Sequence, residues 1–124
     1  MTQLQIYNAY NSLKSIVDAR LDAKKARDIY FIIKTLEPTY EFIIKRQNEI
    51  VKKYNAELNQ DGTIKFKSQE VLQDFEREMK ELESLDANIE VNKLTLSDSD
   101  LEKIEFSVRD ILYLDGIVEF KSVE

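Results

Sequence analysis

Residues 26–54 read ARDIYFIIKTLEPTYEFIIKRQNEIVKKY, and their apolar spacing decides the fold. Ala26, Ile33, Tyr40, Gln47 and Tyr54 recur every seven residues, and Ile29, Leu36, Ile43 and Ile50 follow three residues after each of the first four. An a/d alternation held for about four heptads is the pattern of a long helix packed along a seam, coiled-coil fashion. Gln47 is the polar break in that seam. Pro38 falls inside the run but on the side away from the seam. A proline in a helix interior removes a backbone donor, costs about 3 kcal/mol and bends the axis. The spacing therefore predicts one kinked helix over about 20–57, with the bend leaving the seam intact.

On the N-terminal side, Thr2 and Gln5 have the spacing of a capping box. Ile6, Tyr10, Leu13 and Val17 follow at helical intervals, predicting a helix over about 3–17, with Asp18 as N-cap of the long helix. On the C-terminal side, Asn59-Gln60-Asp61-Gly62 is a turn signal, and Ile64 and Phe66 alternate with Lys65 and Lys67 as in a short half-buried strand. Ser68 then caps a helix carrying Leu72, Phe75, Met79 and Leu82 on one face, through about residue 85. Its other faces are acidic: Glu70, Asp74, Glu76, Glu78, Glu81 and Glu83. Lys45, Arg46, Lys52 and Lys53 flank the long helix's seam, so an antiparallel hairpin would bury the two seams and bring the opposite charges near each other.

Asp86-Ala87-Asn88 ends that helix, and Ile89, Val91, Leu94 and Leu96 suggest a second strand, parallel to the Ile64 strand across a right-handed crossover. Ser97-Asp98-Ser99-Asp100 opens a helical turn through Ile104. Ser107 with Asp110 starts a last helix, its apolar face formed by Val108, Ile111, Leu112 and Leu114, continuing past Gly116 to about Phe120. The expected fold is mainly α, a single helical domain over 1–124. It has a long kinked helix in an antiparallel coiled-coil-like hairpin, further N- and C-terminal helices and a minor two-stranded β element. Tyr30-Phe31-Ile32-Ile33 and Phe42-Ile43-Ile44 are apolar on nearly every side. Unless other segments cover them, they predict a homodimer interface.

Composition removes whole classes of chemistry. The 124 residues include no histidine, no cysteine and only two glycines, Gly62 and Gly116. Ser-His-Asp and Cys-His nucleophile systems and His/Cys zinc sites are thereby excluded, and so are the phosphate-binding glycine loops. Without cysteine there is no disulfide framework, and Met1-Thr2-Gln3-Leu4-Gln5 lacks the basic and apolar regions of a secretory signal. No apolar run approaches the length of about 20 residues that spans a bilayer. The expectation is a cytoplasmic protein without membrane association, metal or cofactor.

The net charge of −6 is unevenly placed: residues 1–56 carry ten Lys/Arg against six Asp/Glu, and residues 57–124 carry eight against 18. Pairing of the two halves across the hairpin accounts for this arrangement. Carboxylate catalysis needs acids converging in a cleft with separated pKa values, whereas these acids spread along helix faces. Asp98, Asp100 and Glu102 alternate like the start of a calcium loop but lack its central glycine and distal glutamate, and acids already suit a helix's first turn. Lys24, Lys25, Arg27, Lys45, Arg46, Lys52 and Lys53 could track a phosphate backbone, with aromatics between them. Tyr40 and Tyr54 fall in the seam, however, and the sequence pI of 4.8 opposes direct nucleic-acid binding. An acidic surface imitating DNA is the converse reading of the second half. Tyr7, Tyr10 and Tyr113 could anchor a partner, though helix packing is their commoner use. The candidate partner surface comprises Glu76, Glu78, Glu81, Glu83, Lys45, Lys52, Tyr7 and Tyr113.

A sequence of landmarks carries a resemblance over about residues 15–120. It begins with an N-terminal helix and a long helix carrying Leu36-Glu37-Pro38-Thr39-Tyr40-Glu41, then a Lys53-Tyr54 end and the Asp61-Gly62 turn. A Lys/Ile/Phe strand, the acidic Phe75–Leu85 helix and Leu94-Thr95-Leu96-Ser97 before a terminal helix follow. This order resembles small uncharacterised helical proteins of tailed phages and prophages of Gram-positive bacteria; those phages usually have Gly or Glu after the Lys-Tyr pair, where this chain has Asn55. The resemblance implies a viral or prophage origin and assigns no site residues. The expectation is a non-enzymatic protein that binds and modulates a host or phage protein, an anti-defence inhibitor being one form. The alternative is a virion structural or assembly protein.

Overall fold

The computed structural model describes residues 1–54, 57–58 and 64–121. The Asn59–Gly62 turn predicted from sequence lies outside them. Helix α1 spans Gln3–Lys14. The Thr2 hydroxyl accepts from Gln5 N at 3.2 Å and the Gln5 side chain accepts from Thr2 N at 2.8 Å, the capping box expected from their spacing. Ile6, Ala9, Tyr10 and Leu13 face the core. The helix stops short of residue 17 because Ile16 N turns back to Leu13 O, tightening the end so that Ile16 is buried and Val17 exposed.

Helix α2 spans Ala23–Lys53 without interruption at Pro38. Its N-cap is Asp22, which accepts from Lys25 N at 2.9 Å, rather than Asp18. Asp18 lies in the turn that reverses the chain after α1. The seam is one-sided. Ile29, Leu36, Ile43 and Ile50 are all buried, but Ala26 is exposed and Ile33, Tyr40, Gln47 and Tyr54 are only half-buried, while Ile32 is buried in their place. The cover explains the difference. Along its N-terminal half α2 lies against α1 and the strand at Leu94–Leu96, which reach round to the Ile32 side.

Strands β1 (Glu57–Leu58) and β2 (Ile64–Lys65) pair antiparallel. Helix α3 spans Gln69–Ser84 with Ser68 as N-cap, as expected, and buries Phe75 and Leu82. Its end is tied to the start of α1: Gln3 N donates to Leu85 O at 2.8 Å and Ala87 N to Met1 O at 2.9 Å. Asn88 then takes a left-handed conformation, φ 54°, which asparagine tolerates.

The second strand, β3 (Leu94–Ser97), does not pair with the Ile64 strand. It runs parallel to β4 (Val118–Lys121), in register Leu94 with Val118 through Ser97 with Lys121. Between them lie α4 (Asp98–Leu101), capped by a Ser97–Asp100 box, and α5 (Val108–Leu114), capped by a Ser107–Asp110 box. The predicted continuation of the last helix to Phe120 is therefore corrected. Ile117 N closes back on Leu114 O across Asp115-Gly116, and the following residues satisfy their backbone groups against β3.

The apolar residues gather in two clusters along α2. The larger joins Ile6, Leu13, Leu36, Leu96, Leu114 and Ile117 with their neighbours, and the smaller joins Ile50, Phe75 and Leu82 with Tyr54, Phe66 and Met79 at its edge. Among the described residues, no helix is long and apolar enough to cross a membrane.

Candidate functional site

Glu78 is the hub of the charged residues singled out from the sequence. It sits at the edge of the buried face of α3, with 19% of its side chain exposed. Tyr54 O–H donates to its Oε2 at 2.5 Å, Lys53 Nζ donates to both carboxylate oxygens at 3.1 Å, and Arg46 lies 3.6 Å away. The Tyr54 bond first, then the Lys53 bond, holds the Glu78 carboxyl below its ordinary range. The same contact raises the Tyr54 hydroxyl, and the Glu78 bond raises Lys53. The bonds join the last turns of α2 to the middle of α3, closing over Phe75, whose ring meets that of Tyr54 edge-on at 6.2 Å.

The other candidates do not join this hub. Glu76 and Glu81 are exposed on α3, Glu83 is half-buried, and Lys45 and Lys52 project from α2 without an ion pair among the described residues. Tyr7 stacks on Tyr40 at 5.5 Å, and Tyr40 stacks in turn on buried Tyr10 at 4.1 Å, so Tyr7 belongs to the packing of α1 on α2. The basic run on α2 is partly engaged: Lys25 Nζ bonds the Thr95 carbonyl, and Arg46 pairs with Glu49 at 2.9 Å.

Tyr113 belongs to a different surface. Helix α5 was expected to bury Val108, Ile111, Leu112 and Leu114, yet only Leu114 is buried; Val108 is 77% and Leu112 69% exposed, and Ile111 and Tyr113 are also exposed. Apolar residues run almost all round this seven-residue helix, so periodicity alone could not choose its inner face. A polar residue chooses it. Asp110 accepts from Ser12 of α1 at 2.9 Å while also closing the Ser107 capping box. Burial works against its charge most strongly, but the bonds from Ser107 and Ser12 together outweigh it and lower the pKa. That anchor turns Val108 and Leu112 outward.

A polar cleft of about 530 Å³ opens at the C-terminal ends of β3 and β4, lined by Lys25, Lys103 and Lys121 with Ser97 and Ser99. Sequence reasoning missed it because it exists only through the β3–β4 pairing. Its basic groups suit an anion, but Lys25 is already bonded to Thr95 and Lys103 and Lys121 are exposed, so no donor is preorganised there. Asp100, which borders it, is held below its ordinary pKa chiefly by the Ser97 backbone N–H and acts as a cap. Among the described residues, no three acids converge as a metal would require.

No protein-family model matches the chain, and comparison with curated proteins and with solved structures returns no match.

Proposed function

We propose that the protein acts by contact, as a phage-type, non-enzymatic protein of the bacterial cytoplasm that binds and modulates a host or phage protein. The observation that carries this reading is the outer face of α5. Val108 and Leu112 stand well exposed on the side away from buried Leu114, with Tyr113 and Ile111 less exposed on the two flanks, on a helix that Ser12 and Asp110 pin in place. Contiguous exposed apolar side chains on a fixed element are costly in water and mark interaction sites. The order of landmarks shared with small phage and prophage proteins supports the viral part of the reading. In the same reading α2 and α3 act as an antiparallel, coiled-coil-like pair. The Glu78 contacts support that arrangement, and it makes the pair a scaffold for α5 rather than a site in itself.

The test compares immobilised wild type with Leu112→Asp in lysates of Gram-positive cells, with and without phage infection. A stoichiometric protein retained by wild type and lost from the variant, at unchanged Tm, is the expected result. A retained protein drawn from the virion would favour the assembly role instead. Equal retention by both forms, or no stoichiometric protein on either, overturns the reading.

A further inference from the structure

Three surfaces of α2 stay open to solvent although they are large and aromatic: Tyr30 is 55% exposed, Phe31 56% and Phe42 50%. Phe31 and Phe42 are 11 residues apart, about three full turns, so they share one face and stand about 16 Å apart along it. Lys24, Phe31, Thr35, Pro38, Phe42 and Glu49 all fall within about 60° of arc at 100° per residue. Every one of them is exposed.

The order of these six residues is self-complementary. Two identical helices packed antiparallel across a two-fold axis place residue i opposite residue j wherever i and j sum to a constant, and an isologous interface requires that each such pair be compatible. With the axis between Leu36 and Glu37, Phe31 faces the partner's Phe42, Thr35 faces the partner's Pro38, and Lys24 faces the partner's Glu49. Each pair occurs twice. Aromatic meets aromatic at the centre and opposite charges meet at the ends. On one flank Asp28 comes beside the partner's Arg46. On the other, Arg27 comes near the partner's Lys45, a like-charged pair, with Asp28 lying 3.8 Å from Arg27.

The same register supplies a socket. A cleft of about 430 Å³ lies between α2 and residues 90–94; Phe31, Ile32 and Val91 give it an apolar side, and the charged side chains Asp28, Glu90 and Lys93 line it as well. The partner's Phe42 falls at the height of Phe31, on the side of the stripe where this cleft opens. We infer that the occupant of this face is a second copy of the chain: α2 packs antiparallel on α2 about a two-fold axis near Pro38, and each copy seats its Phe42 against Phe31 in the other's cleft. This interface is separate from the outer face of α5 and does not rest on the reading of that face.

The chain has no cysteine, so single cysteines test the register directly. Phe31→Cys and Phe42→Cys are prepared separately, then mixed and oxidised. A disulfide-linked dimer that forms in the mixture but not from either variant alone is expected, because the 31–31 and 42–42 distances are both too long to bridge. Sedimentation should show wild type as a dimer, and Phe42→Asp, whose site is exposed in the single chain, should weaken self-association by about tenfold or more while the far-UV circular dichroism of the folded chain is unchanged. Two results overturn the proposal. One is a wild type still monomeric at about 1 mM, where an interface with a Kd of about 1 µM is saturated. The other is a dimer in which the cysteine mixture cross-links no better than the single variants.

Discussion

Glu78 illustrates how one side chain couples two helices through charge, and its titration has a definite sign. Its folded pKa is depressed, so its contribution to stability is fully present above the unfolded value of about 4.3 and is lost as pH falls through the lower folded value. Lys53 and Tyr54 are raised, so theirs is present below unfolded values of about 10 and is lost as pH rises through the folded ones. Glu78→Gln should therefore lower the Tm at pH 7, with the gap to wild type narrowing as pH falls below the unfolded value of about 4.3 and through the lower folded one. Melts followed by circular dichroism across that range check it; a gap of constant size would mean that packing, and not charge, accounts for the loss.

The seam of α2 makes a second prediction at the same scale. Leu36 is fully buried and Ala26 exposed, although both occupy seam positions by spacing. Leu36→Ala should cost about 2–5 kcal/mol in denaturant unfolding, because it removes buried methyl groups and leaves a cavity. Ala26→Glu should stay within about 0.5 kcal/mol. Comparable losses at both sites would restore the symmetric seam that the spacing alone implies. The d positions were legible because the same side of the helix is covered along its whole length. The a positions were not, because their burial depends on which neighbour reaches round, and that neighbour is fixed by tertiary contacts.

At the scale of the element, α5 shows what a short helix needs in order to hold its orientation. Seven residues are too few to be stable as an isolated helix, so its ends and contacts decide whether it forms. Asp110 serves both purposes, accepting from Ser107 N at 3.1 Å and from Ser12 Oγ at 2.9 Å. Asp110→Ala should remove part of the cap and leave the buried Ser12 hydroxyl without its partner, a loss of about 1–3 kcal/mol. Urea unfolding checks the magnitude, and faster exchange of the α5 amides checks the location. A loss with α5 amides unaffected would move the role of Asp110 elsewhere. The Ser107-to-Asp110 start of this helix was legible because capping is local. Its inner face and its end were not. A polar bond to α1 selects the face, and pairing of Val118–Lys121 with a strand more than 20 residues earlier ends it. The same long-range pairing hid the lysine-lined cleft, whereas the Glu78 hub could be anticipated in outline from opposite charges on two helices.

At the scale of the whole molecule, the length of α2 allows it to serve two cores of very different size. Among the described residues, fourteen buried side chains form the cluster around Leu36 and Leu96, against three around Ile50. Local stability follows the amount of apolar surface a segment buries, so the region around Ile50 should open at lower free energy than the rest. The Glu78 bonds lie at the open edge of that smaller cluster and are weakened by solvent, which leaves packing of Ile50 on Phe75 as its main support. Ile50→Ala should therefore cost about 2–5 kcal/mol locally. Its expected signature in native-state hydrogen exchange is faster exchange in α3 and the last turns of α2, with the amides of α1, β3 and β4 keeping wild-type protection. A uniform increase throughout the chain would mean that the two clusters melt as one cooperative unit, with α2 transmitting the loss along its length. The bond from Gln3 N to Leu85 O is the other route for such coupling, since it ties the end of α3 directly to the first turn of α1.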